Sequence, residues 1–290
     1  MNLFIFGLGY SALHFARTHR EKYGDIFGTA REPGKCEAIS ALGIPAFVFS
    51  PNACDPSIYA ALDRCEAIIS SIPPDALGDP VMRVFESVLL EMRPLQRVIY
   101  LSTVGVYGDH KGGWVDEAAE LKAVNERSKR RVDAENAWMS FARKHGCELH
   151  ILRLAGIYGP GRNAIENLRA GKARRIVKKD QVFNRIHVED IGRAIQACLT
   201  LPISGGVHIW NIADNEPSPP QDVVSLAAEL TGLLAPPEID FDTADLTPMA
   251  RSFYGENKRI SNRAMREGLG IRLAYPSYRE GLQALIKSST

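Results

Sequence analysis

Six residues near the start of the chain carry the clearest chemistry. Gly7-Leu8-Gly9-Tyr10-Ser11-Ala12 reads G-x-G-x-x-A, after the apolar run Asn2 to Phe6 and before an amphipathic stretch that starts at Tyr10. In such a turn the first glycine permits a tight reversal and the second lets the backbone approach a diphosphate. A small third residue lets helix and strand pack closely. The helix start that follows offers free N–H groups and partial positive charge to phosphate oxygens. The motif has a strand before it and a helix after it, so it points to a dinucleotide held by Gly7, Gly9, Tyr10, Ser11 and Ala12. A plain structural turn is the competing reading. About 20 residues on, at the end of a second strand, such sites read the ribose. Phe27-Gly28-Thr29-Ala30-Arg31 offers no acid there until Glu32. Arg31, helped by Thr29 and Lys35, suits a 2′-phosphate through charge-assisted bonds, which favours NADP; Glu32 keeps NAD open. Ser70-Ser71-Ile72-Pro73-Pro74 follows another strand and borders the cofactor through its backbone, or is a Pro-stiffened turn; both can hold.

Short β-type runs frame these residues. Strands are predicted at Asn2–Phe6, Asp25–Thr29, Pro45–Phe49, Ala67–Ser70, Arg97–Ser102 and Leu149–Leu154, with Val207–Ala213 returning as a seventh. Helical patterns lie between most of them, at Tyr10–Lys22, Pro80–Met92 and Ala118–His145. This alternation implies right-handed crossovers and an α/β fold: a Rossmann-type, doubly wound parallel sheet with helices on both faces. Residues 1–153, completed by the strand near 207–213, form the NAD(P)-binding core; 154–206 and 214–290 form a smaller C-terminal substrate lobe. Pro217, Pro219, Pro220, Pro236, Pro237 and Pro248 leave room in the tail for two or three helices, Gln221–Leu230 and Tyr278–Ile286 being the clearest.

Composition narrows the classes. The 290 residues are 45% hydrophobic and 24% charged, with a net charge of +1, so nothing favours nucleic acid or an anionic membrane as partner. Five scattered cysteines without a C-x-x-C pair indicate reduced thiols and a cytoplasmic location. No apolar run reaches the ~18 residues of a membrane span. The apolar start lacks a basic leader and breaks at Gly7 and Gly9, so it is not read as a signal peptide. His187, Glu189 and Asp190 lack a fourth ligand at useful spacing and read as a helix start; no metal is expected. The basic run Arg169–Lys179, with Arg174, Arg175, Lys178 and Lys179, is read as a solvated loop ahead of a contact to a phosphorylated substrate.

Four further stretches join the glycine loop. They are Leu101-Ser102-Thr103-Val104-Gly105-Val106-Tyr107-Gly108, Leu152 to Gly161 (LRLAGIYGPG), Asn184 to Ile191 (NRIHVEDI), and Gly270 to Pro276 followed by Tyr278-Arg279-Glu280-Gly281-Leu282. In this order they resemble the extended short-chain dehydrogenases/reductases, and among them the atypical epimerase/dehydratase-like branch. The resemblance implies a small-molecule substrate, often a nucleotide sugar, and leaves room for a homodimer. It also implies a catalytic Ser/Thr, Tyr and Lys: Tyr moves a proton, Lys holds the ribose and lowers the Tyr pKa, and Ser/Thr hydrogen-bonds the substrate oxygen.

Thr103, four residues before Tyr107, matches the Ser/Thr position. The Y-x-x-x-K motif does not follow. Counting back from Glu135 puts Arg131 at the Lys position and Arg127 at the Tyr position, and no tyrosine occurs from Asp109 to Cys147. An arginine cannot shuttle a proton near neutral pH. Arg127, Arg131, Ala134, Trp138 and Phe141 fall on one helix stripe, which favours inward placement. An i,i+4 pair between Arg131 and Glu135 would suit a solvated face instead. Tyr107 and Tyr158, at strand ends, are the stand-ins for the missing acid–base group, though packing or substrate contact is the commoner role for such tyrosines. Two readings stay open: an NAD(P)-dependent oxidoreductase or epimerase/dehydratase-like enzyme with an altered catalytic set, and a non-catalytic NADP(H) sensor.

Overall fold

A computed structural model describes residues 1–287. Its largest sheet has eight strands: β1 (Leu3–Phe6), β2 (Ile26–Ala30), β3 (Ala46–Ser50), β4 (Ala53–Cys54), β5 (Ala67–Ser70), β6 (Arg97–Thr103), β8 (Glu148–Leu154) and β12 (Val207–Ile212). They lie in the order β12-β8-β6-β5-β1-β2-β3-β4. The pairs β1–β2, β1–β5, β2–β3 and β5–β6 are parallel, and only the short β4 is shown turning back antiparallel on β3. The chain reverses direction across the sheet at β1, where the ligand crevice of an open α/β fold lies. This is the expected doubly wound Rossmann-type sheet.

By packing, the chain divides into two units: residues 1–103, 126–153 and 191–210, and residues 104–125, 154–190 and 211–290. The split differs from a reading by chain order in three segments, 104–125, 191–206 and 211–213, the last being the end of the returning strand. Residues 191–206 join the first unit because α7 (Val188–Thr200) is tied there from several sides. Tyr23 Oη donates to Gln196 Oε1 at 2.9 Å, and the Arg97 guanidinium donates to the Leu199 and Leu201 carbonyls. Residues 104–125 join the second unit, and this moves the start of a helix. A helix from Ala118 was expected; α5 begins at Glu126 (Glu126–His145). Asp116 Oδ1 accepts the Ala118 N–H at 3.1 Å, and Lys122 N donates to Tyr107 O at 3.1 Å, so this stretch is a turn braced on its own unit.

In the first unit, the sheet face that carries Phe4, Phe6, Ile68, Val98, Tyr100, Leu149 and Ile151 packs with α3 (Ser57–Leu62), α4 (Pro80–Glu91) and α5. Helix α1 (Tyr10–Thr18) is shorter than its predicted Tyr10–Lys22. Arg20–Lys22 forms a separate 3₁₀ turn with no buried residue, since it has no apolar side chain to bury. Helix α2 (Pro33–Ser40) escaped the periodicity because only Cys36 and Ile39 are buried.

The second unit holds three two-stranded ladders. They pair β7 (Trp114–Val115) with β14 (Arg259–Ile260), β9 (Gly156–Tyr158) with β11 (Arg185–His187), and β10 (Arg175–Val177) with β13 (Glu238–Asp240). Its helices are α6 (Ala164–Arg169), α8 (Pro220–Thr231), α9 (Pro248–Tyr254), α10 (Arg263–Gly268) and α11 (Tyr278–Lys287). The tail after residue 214 thus carries four helices rather than two or three. The two unforeseen ones, α9 and α10, are short and bury only Tyr254 and Met265.

One close approach couples this fold to the glycine loop. A Cβ on Gly28 would lie 2.5 Å from Leu8 Cδ1 and 2.9 Å from Ile5 O, and the carbonyl cannot move without breaking the sheet. We expect Gly28→Ala to destabilise the protein by ~1–3 kcal/mol through overpacking and to weaken dinucleotide binding by displacing Leu8. Urea denaturation and an NADH titration read the two effects; a variant with unchanged stability would refute the close approach.

Candidate functional site

The glycine loop is held from three strands. Gly7 lies at φ +86°, in the left-handed region, and its N–H donates to Thr29 Oγ1 at 2.9 Å. Leu8 N donates to Thr29 O at 2.7 Å, and Gly9 N to Gly7 O at 2.7 Å. Ser71 Oγ donates to Gly7 O, and Ser71 N to Phe6 O at 2.9 Å. Gly7, Gly9, Tyr10, Ser11, Ala12, Thr29, Ser70 and Ser71 therefore converge at the ends of β1, β2 and β5. Thr29 has a different part from the one its spacing suggested. It is fully buried and braces the loop, so it is not placed to help Arg31 at a 2′-phosphate. Arg31 and Lys35 are exposed just past β2.

Three features of this loop fit a dinucleotide. A Cβ on Gly9 would meet nothing nearer than Gly7 O at 4.0 Å, so open space lies over the second glycine. Helix α1 follows its N-cap Gly9 with no side-chain cap and no acid in its first turn. That leaves the helix start polarised for an anion. Ser70 Oγ, at the end of β5, is buried without a hydrogen-bond partner.

At the end of β6 the arginines separate. Arg127 is exposed at the start of α5. Arg131 is half-buried: its Nη1 donates to Leu101 O at 2.9 Å and to Tyr100 Oη at 3.1 Å, with Cζ 5.8 Å from the Tyr100 ring centroid. Burial pushes the Tyr100 hydroxyl above the ordinary phenol range. Glu135 forms no i,i+4 surface pair with Arg131. It is buried, accepting Ser102 Oγ at 2.6 Å and Arg153 Nη2 at 2.7 Å. The stripe reading holds for Ala134, Trp138 and Phe141, which are buried, and stops short of Arg127. Thr103 ends β6 and is half-buried.

In the second unit the candidate tyrosines are tied into the fold. Tyr107 is fully buried and its hydroxyl donates to Asn211 Oδ1 at 2.7 Å. Tyr158 Oη donates to Ser277 O at 3.2 Å, and burial raises its pKa. His187 Nδ1 accepts the Glu189 N–H at 3.2 Å, while Asp190 accepts from Ala274 N and Tyr275 N at 2.7 and 3.0 Å. These are structural bonds at a helix start. The basic run is not a free solvated loop: Arg174 and Lys178 donate to the Asp245 and Tyr254 carbonyls, and Arg175 pairs with Glu238. Among the described residues no group of three or more His, Cys, Asp or Glu is arranged to hold a metal, and no helix is long and apolar enough to cross a membrane.

Comparison with known proteins agrees with this architecture. The sequence profile of the NAD dependent epimerase/dehydratase family matches residues 80–213. Protein YeeZ of Escherichia coli (strain K12) is 28% identical over 218 residues, 72% of this chain and 76% of that one. A conserved protein of unknown function from Silicibacter pomeroyi is 44% identical across 99% of both chains, with a TM-score of 0.89. Over residues 80–213, a little under half of its length, this chain is similar to the NAD dependent epimerase/dehydratase family. The UDP-glucuronic acid 4-epimerase of Bacillus cereus, solved with NAD, shares the fold at 17% identity over 99% of both chains, with a TM-score of 0.76.

That likeness leaves several buried groups that the motifs did not name. Glu135, Arg153, Arg97 and Glu148 are charged yet nearly inaccessible, and Arg97 Nε donates to Glu148 Oε2 at 2.8 Å. Part of their signal was present: Arg153 interrupts an apolar strand and Glu135 an apolar helix stripe, whereas Arg97 and Glu148 open theirs. Asp214 is another, with Oδ1 accepting Glu216 N at 3.1 Å and Oδ2 buried without a partner. Burial pushes its carboxyl from 3.8 up to about 8. The folded state therefore holds this proton more tightly than the unfolded chain. The contribution is complete below the unfolded value and is lost as pH rises from about 4 to about 8. We expect Asp214→Asn, which cannot ionise, to gain stability relative to the parent across that window. Urea midpoints measured through the range decide it; parallel pH profiles for the two proteins would refute the buried neutral acid.

Proposed function

We propose that this chain binds NADP(H) in preference to NAD and acts as an oxidoreductase or epimerase/dehydratase-like enzyme on a small or nucleotide-sugar-like substrate. The observation that carries the reading is the braced glycine loop, with its open Gly9 and uncapped α1. Gly7, Gly9 and the first turn of α1 would hold the diphosphate through backbone N–H groups. Ser70 and Ser71 would border the bound molecule, and Arg31 would meet a 2′-phosphate. Once bound, the nicotinamide supplies hydride donation and acceptance.

The chain's own groups then set the chemistry. Thr103 would orient a substrate oxygen by hydrogen bonding. Arg127, permanently charged, would stabilise developing negative charge without moving a proton. Arg131, on this register the counterpart of the family lysine, is already bonded to Leu101 O and Tyr100 Oη, so we assign it to holding α5 on β6. Lack of a positioned proton donor costs ~10²–10⁴-fold in rate, and slow turnover is expected. A second reading, a non-catalytic NADP(H) sensor, is favoured by the hydroxyl of Tyr107, whose proton is committed to Asn211.

Cofactor consumption during incubation with nucleotide sugars, free sugars and aldehydes separates the two. Under the first reading at least one substrate is turned over, and Thr103→Ala abolishes that turnover while the protein still binds NADPH. Tight NADPH binding without turnover on any of them would establish the sensor instead. For cofactor choice, Arg31→Ala is expected to weaken NADPH about tenfold or more and to leave NADH nearly unchanged, as loss of a charge-assisted contact requires. Equal losses for both dinucleotides in calorimetry would remove Arg31 from the 2′-phosphate site.

A further inference from the structure

Strand β12 lies outermost in the large sheet, with β8 as its only neighbour there. Leu149 N donates to Gly206 O at 2.9 Å and Ala155 N to Ile212 O at 3.0 Å, which sets β12 parallel to β8. In that register the main-chain groups of His208, Trp210 and Ile212 face β8, and those of Val207, Ile209 and Asn211 face outward.

The outward row is closed at both ends and open between them. Glu117 Oε1 accepts the Asn211 N–H at 2.7 Å. Upstream, Gly205 and Gly206 lie at φ +72° and +82° and end the extended backbone. Val207 and Ile209 are left with two N–H donors and two carbonyl acceptors that meet no partner among the described residues. Side chains do not screen them. Val207, His208, Ile209 and Trp210 are all half-buried, and Ile203, just before the strand, is 55% exposed. Sheet edges are commonly protected by lysine or proline, and β12 has neither.

The symmetry of the open groups selects their occupant. They lie evenly about His208, so a two-fold axis at that residue sets Val207 of each copy against Ile209 of the other. Each such pair exchanges both N–H···O bonds, and all four open groups of each chain are used. The cross-strand pairs are apolar and β-branched, a combination that stabilises antiparallel strands. A longer, unrelated strand finds no further outward partner, because Glu117 occupies one end and the glycine turn breaks the other.

We propose that β12 is a homodimer interface, at which a second copy of this chain adds its own β12 antiparallel, His208 facing His208 on the axis, so that two sheets become one. The contact is short, so a weak, concentration-dependent dimer is expected rather than a permanent one. The proposal stands apart from the cofactor and substrate readings, since neither uses this edge.

Sedimentation equilibrium of the full chain across the micromolar range tests it. The parent should pass from monomer to dimer. His208→Lys sets like charges directly across the axis and should leave the protein monomeric over the same range. Val207→Pro removes an outward N–H from each chain without touching the ladder to β8, and should weaken the dimer about tenfold or more. Directly opposed residues of a non-hydrogen-bonded antiparallel pair suit a disulfide, so His208→Cys should give a reducible covalent dimer in oxidised glutathione. The parent, with its exposed Cys54, is the control. A parent that stays monomeric throughout, or a dimer that survives both His208→Lys and Val207→Pro, would overturn the proposal. Should either variant fail to fold, the cysteine variant decides: no more cross-linking than in the parent would rule out the symmetric pairing.

Discussion

The N–H of Gly7 donating to Thr29 Oγ1 is the small interaction on which the cofactor site depends. It fixes a backbone turn at φ +86° that side chains rarely adopt, and it does so from the neighbouring strand. Ser71 closes the same turn from the strand on the other side by bonding Gly7 O. With the turn held by β2 and β5, α1 can start after Gly9 without a side-chain cap, and open space lies over that glycine. A helix start without a side-chain cap keeps its partial positive charge for an anion.

How far this was legible in the sequence varies with the kind of constraint. The strands β1, β2, β3, β5, β6 and β8 followed from compact apolar runs, because a parallel sheet covered on both faces needs little alternation. The glycine loop was legible because its conformational demands are local. Thr29 shows where locality ends: its spacing suggested the ribose, while its hydroxyl turns inward to the loop, a matter decided by the pairing of β1 with β2. The start of α5 was lost for a similar reason. The 118–125 stretch has helical patterning, but bonds to Tyr107 O and Asp116 hold it as a turn.

Buried charge was the least legible feature. Ser102, Glu135 and Arg153 come from β6, α5 and β8, so no spacing rule links them. Each charged member would be costly to bury alone, and removing one partner of such a pair costs ~3–5 kcal/mol. The pair therefore does more to specify how α5 sits on the sheet than to stabilise it. Arg131, one turn earlier on the same helix, adds a second anchor to β6 through Leu101 O. Together they set the helix register beside the strand end that carries Thr103.

That register bears on the proposed chemistry. A lysine is a compact, mobile point charge, whereas an arginine presents a planar fork that can hold a carbonyl and a hydroxyl at once. With Nη1 bonded to both Leu101 O and Tyr100 Oη, Arg131 has less freedom to follow a ribose than a lysine would. Arg127, one turn further out and exposed, cannot give up a proton. On the proposed reading, the proton needed for any hydride exchange has to come from solvent or from the substrate itself. This confines fast chemistry to substrates whose own acidity replaces the missing phenol.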